Sequence, residues 1–83
     1  MNHFEHPYHH PLFENLNHQT QLFLKEKARH YGLDSSEIQH IIHIAAKMEA
    51  WGYCFEQFWV DKEGKEESLI LLECHYSTLK TLH

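Results

Sequence analysis

The 83-residue sequence predicts an α+β domain in which two amphipathic helices pack on a C-terminal β-hairpin, led by an irregular histidine-rich arm. Three observations carry this expectation. Apolar residues recur every three to four positions from Pro11 to Trp51 and then at a spacing closer to two. Gly32 and Gly52 stand where the two helical patterns end. Asp61-Lys62-Glu63-Gly64-Lys65 separates two runs rich in aromatic and aliphatic residues, as a bulged hairpin turn would. A chain of this length hides only roughly 64% of the surface its unfolded form exposes, enough for one thin core and one domain.

Residues 1–10 hold four histidines and Pro7 without a helical or strand period, and they read as the arm; residues 11–83 read as the domain. Pro11 suits a first helical position. From there Leu12, Phe13, Leu16, Thr20, Phe23, Leu24, Ala28 and Tyr31 describe one face of a helix of about twenty residues that Gly32 stops and on which Leu33 packs back. Asp34 with Glu37 forms the sequence of a capping box for the second helix. Its apolar stripe is Ile38, Ile41, Ile42, Ala45, Met48 and Trp51, and its opposite face carries Ser36, Gln39, His40, His43 and Lys47. Residues 53–60 and 66–76 are the predicted strands, and Leu79 with Leu82 predicts one closing helical turn. Four apolar residues in succession, Leu69-Ile70-Leu71-Leu72, ask for cover on both faces of the second strand. A two-stranded sheet is marginal alone and its bare edge invites another chain, so the expectation is a homodimer or a partner paired at that edge.

With histidine neutral the net charge is −5, and the segment 56–73 alone carries −4. That sign argues against generic nucleic-acid binding and favours a protein partner with a basic surface. The apolar runs are far shorter than the roughly 20 residues of a membrane span. No leader pattern is read at the start, so the expected location is the cytoplasm, where Cys54 and Cys74 are packed, reduced thiols. Ten histidines reverse the charge in mild acid, since an unperturbed imidazole titrates near pH 6.5.

Three groups of residues bear on function, each with an ordinary structural reading beside it. Ala28, Gly32, Leu33, Ile38 and Ile41 match a DNA-reading helix-turn-helix in outline, with the hairpin as a wing and Gln39, His40, His43 and Lys47 as the base-facing side. Lys27 stands where an apolar residue would pack, and the wing would be acidic; a capped helical corner needs the same residues. His3, His40 and His43 are candidate ligands for a transition metal, because imidazoles at i, i+3 chelate when a third ligand arrives from elsewhere. Solvated surface histidines are the ordinary alternative, and no Cys-x-x-Cys or His-Glu-x-x-His accompanies them. Gly32-Leu33-Asp34-Ser35 before a helix resembles the Asp-Ser segment of acyl carrier proteins over four residues, without the apolar residue that follows the serine there; helix capping accounts for both polar residues.

No phosphate loop, carboxylate pair or nucleophile elbow is present, so neither an enzyme nor a cofactor is expected. Eleven aromatic residues exceed the needs of one thin core, and alternation along a strand places Phe58 opposite Phe55 and Trp59. Exposed aromatics ringed by acids suit a protein interface, although a core with a solubilising rim has the same composition. The sequence therefore predicts a small acidic non-enzymatic interaction module, of the inhibitor, immunity-partner or phage anti-defence type. Glu56, Trp59, Asp61, Glu63, Glu66 and Glu67 are its expected contact residues.

Overall fold

The computed structural model describes residues 7–83, and it is helical throughout. Helix α1 spans Pro11–Glu14, α2 His18–Tyr31, α3 Ser35–Ala50 and α4 Lys65–Thr81, with a 3-10 turn at Phe55–Phe58 between the last two. The predicted α+β class is wrong: no strand occurs among the described residues, and the hairpin with its dimerising edge does not exist.

The predicted first helix is broken in two. His10 Nδ1 caps α1 by accepting the Leu12 N–H at 3.1 Å. Asn17 Oδ1 caps α2 by accepting the Gln19 N–H at 2.8 Å. The chain turns between them at Asn15-Leu16-Asn17, and the amide of Gln21 donates to the carbonyls of Phe13 and Leu16, both at 3.0 Å. The Phe13 carbonyl also accepts the Leu16 N–H at 3.0 Å, so Gln21 adds a second donor there and ties the turn to the first part of α2. The apolar spacing runs through the break unchanged because Phe13, Leu16, Thr20, Leu24 and Ala28 are all buried on the same side.

The two glycine stops act through one mechanism. Gly32 takes φ 65°, and Leu33 N–H reaches back to the Ala28 carbonyl at 2.9 Å. Gly52 takes φ 91°, and Tyr53 N–H reaches the Met48 carbonyl at 2.8 Å. Both are Schellman endings, which need a left-handed residue and return the chain over the last turn. The capping box forms as read: Asp34 accepts the Glu37 N–H and Glu37 accepts the Asp34 N–H.

Helix α3 is the centre of the core. Ile41, Ile42, Ala45 and Met48 have no exposed surface, and Ile44, outside the predicted stripe, is buried too, because α1, α2, α4 and the 3-10 turn all pack on α3. Phe55 is fully buried and Trp59 is 8% exposed, with Phe23 edge-on to both. Strand alternation therefore does not apply to these rings.

Residues 65–81 form a helix for reasons of composition as much as spacing. Leu and Glu dominate the segment, both strong helix formers, and Ile70 is its one β-branched residue before Thr78. Glu66 and Glu67 lie in the first turn and Lys80 in the last, the signs that the helix dipole favours. Ser68, Leu72 and Leu79 are buried and Leu69 and Tyr76 half-buried, a spacing of three to four. Glu37 pairs with Lys65 near the starts of α3 and α4, and Trp51 stacks on Tyr76 near their ends, so the two helices run in the same sense. The 14 residues between Ala50 and Lys65 are the crossover such a pair requires. No helix among the described residues is long and apolar enough to cross a membrane.

Candidate interaction surface

The loop leading into α4 is pinned at Asp61. Lys27 Nζ donates to both carboxylate oxygens at 3.0 and 2.9 Å, and Trp59 Nε1 donates to Oδ1 at 2.9 Å. The Tyr31 hydroxyl lies 2.8 Å from the same oxygen and accepts the Lys62 N–H at 3.2 Å. The Lys27 hydrogen bond, followed by those of Trp59 and Tyr31, lowers the Asp61 carboxyl to about 2, against a small opposing effect of burial. One residue further on, Lys62 N–H also donates to the buried Ser68 Oγ at 3.0 Å, which ties the loop to the first turn of α4.

This geometry divides the six predicted contact residues. Trp59 is an interior ring whose polar edge is spent on Asp61, so it is not the surface anchor expected of it. Asp61 is neutralised by Lys27. Glu56 is half-buried and accepts the hydroxyl of buried Thr20 at 3.1 Å. Glu63, Glu66 and Glu67 are exposed, and none has an ionic partner among the described residues.

Ile70, which the strand reading hid, completes the surface. It is 60% exposed and lies one helical turn beyond Glu66 and Glu67, with Glu73 and Cys74 one turn further on the same side of α4. Four consecutive apolar residues on a helix sweep about 300°, so one of Leu69 to Leu72 must leave the core. The helix directs Leu72 inward with no exposed surface and Ile70 outward.

The candidate base-reading side of α3 is exposed at Gln39, His40, His43 and Lys47. His40 is paired with Glu73 of α4, and Glu37 with Lys65, so a carboxylate of α4 stands against the surface that would meet phosphate. The β wing is absent. His40 and His43 do share a side of α3, yet His43 directs Nδ1 to the Gln39 carbonyl at 2.9 Å and its ring meets the edge of His10. Among the described residues no group of three or more His, Cys, Asp or Glu side chains is placed to hold a metal ion, and His3 lies outside them. Cys54 and Cys74 are exposed free thiols, contrary to the expected packing role, because Cys54 stands in the turn before Phe55 and Cys74 on the outer side of α4. Comparison with protein-family models, with curated proteins and with solved structures finds no match to this chain.

Proposed function

We propose that the protein is a small acidic, non-enzymatic interaction module that uses the outer side of α4 to occupy a basic surface on a protein partner. The observation that carries this reading is Ile70, a large apolar side chain 60% exposed and flanked by the uncompensated carboxylates of Glu66 and Glu67 on a helix whose other side is anchored by Ser68, Leu72 and Leu79. An apolar anchor surrounded by charge is the economy of a helix-in-groove contact: the side chain supplies affinity and the charges supply approach rate and partner choice. Glu63 extends the acidic rim into the loop that Asp61 and Ser68 hold in place, so the surface is preorganised at little entropic cost. Covering a basic groove on a target is the mode of action that suits an inhibitor or antagonist. The module belongs in a reducing cytoplasm, where the exposed Cys54 and Cys74 remain thiols.

The test is quantitative affinity capture with wild type, Ile70→Arg, Glu67→Lys and a control, Glu14→Lys, on α1. One basic protein is expected to be retained by wild type and the control and lost with both α4 variants, with the wild-type signal declining as salt rises. Capture that is indifferent to the α4 changes rejects the reading.

A further inference from the structure

A second surface of the molecule is the chemical counterpart of α4. Between α2 and α3 lies a shallow groove with an apolar floor of Ala28, Leu33 and Ile38, walled by Tyr8, Lys25 and Arg29. The charged side chains that line it are both cations. Lys25 is held at the rim over the rings of Tyr8 and Phe13, 5.4 and 5.7 Å from their centroids. Arg29, one turn on, has no ionic partner among the described residues. Of the carboxylates at the α3 side of the groove, Asp34 accepts the Glu37 N–H and Glu37 is paired with Lys65, while on the other side Glu14 lines the adjoining cavity beside Lys25 and Glu26 is exposed next to Lys25 on α2.

From these two surfaces we infer that the groove receives α4 of a second copy of this chain, with Ile70 on the apolar floor and Glu66 and Glu67 against Lys25 and Arg29. Two cations one helical turn apart on α2 face two carboxylates followed one turn later by an apolar side chain on α4, which matches charge for charge and floor for anchor. The contact pairs unlike surfaces of the two copies. Lys27 and Tyr31 hold the loop that leads into α4, and on α2 they lie about 200° around the axis from Lys25 and Arg29. Donor helix and receiving groove are distinct surfaces of one protomer, and each copy offers both. The inference rests on the reading of α4 as a binding surface. It adds that copies of the chain and a foreign basic target compete for that surface.

The experiment is sedimentation velocity over a concentration series at low ionic strength. Two double variants are used, Glu66→Lys with Glu67→Lys, and Lys25→Glu with Arg29→Glu; all four positions are exposed, and unchanged circular dichroism confirms that the fold is kept. Wild type is expected to associate with concentration and to dissociate at high salt, and each variant alone to associate about tenfold more weakly or not at all. An equal mixture of the two variants regains association, since each reversed helix then meets a reversed groove. Wild type that stays monomeric over the series, or a mixture no more associated than its components, overturns the inference. Foreign capture that depends on Ile70 and Glu67 but ignores Lys25→Glu with Arg29→Glu leaves the α4 reading intact while self-association fails; loss of both removes the reading itself.

Discussion

Asp61 shows how much one exposed side chain can organise when its donors come from several places. Lys27 and Tyr31 reach it from α2 and Trp59 from the chain just before it, so the carboxylate couples the aromatic part of the core to the loop that starts α4. Its carboxyl titrates near 2 in the folded protein against about 3.9 in an unfolded chain. A depressed folded value means that the stabilisation is complete above about pH 4 and disappears as pH falls toward 2. The side chain is 58% exposed, so solvent screening places the effect at the scale of a surface ion pair. Asp61→Asn is expected to lower stability by about 1 kcal/mol at neutral pH, with the two proteins converging near pH 2, as urea unfolding at both pH values will measure. A glycine prediction belongs at the same scale. A methyl group at Gly32 or Gly52 would meet nothing within 4 Å, so Gly→Ala at either position costs only the left-handed backbone, about 1 kcal/mol, and Gly32→Asn costs less than Gly32→Ala.

At the scale of elements, legibility followed the strength of local punctuation. Helices α2 and α3 were readable because a capping box and two glycine stops bound their apolar faces. The break between α1 and α2 was not, since Asn15 and Asn17 interrupt the hydrogen bonding without disturbing the order of buried side chains. Helix α4 was lost because four successive apolar residues fit a doubly covered strand as well as a helix, and the turn-like Asp61 to Lys65 before them weighted the choice toward a hairpin. Composition favours the helix, since leucine and glutamate are the commonest residues of the segment and Ile70 is its one β-branched residue before Thr78. The same misreading hid the exposure of Ile70, whereas the acidic character of Glu63, Glu66 and Glu67 on the proposed surface was readable from charge alone. The corrected helix is testable by two substitutions two residues apart. Leu72→Ala removes a side chain with no exposed surface and is expected to destabilise by about 3 kcal/mol; Ile70→Ala removes one that is mostly in solvent and should change stability by less than about 0.5 kcal/mol. Thermal unfolding monitored at 222 nm separates these outcomes, whereas strands would expose alternate residues and bury Ile70 and Leu72 on the same side.

For the whole molecule, the ten histidines supply a pH dependence whose sign depends on what α4 meets. Each copy carries −5 with histidine neutral, and this charge falls to zero near pH 6.0. Between two copies the net charges repel at pH 7.5. Acidification toward pH 6 removes that repulsion and leaves the contact of Glu66 and Glu67 with Lys25 and Arg29 charged on both sides, so self-association tightens. A foreign basic surface experiences the opposite trend. It loses long-range attraction as the module's negative charge is titrated away, and binding weakens steadily from pH 7.5 to 5.5. Sedimentation of the protein alone and titration against a captured basic partner over the same pH range are thus expected to move in opposite directions. If self-association also weakens steadily from pH 7.5 to 6, the groove of Lys25 and Arg29 does not receive α4.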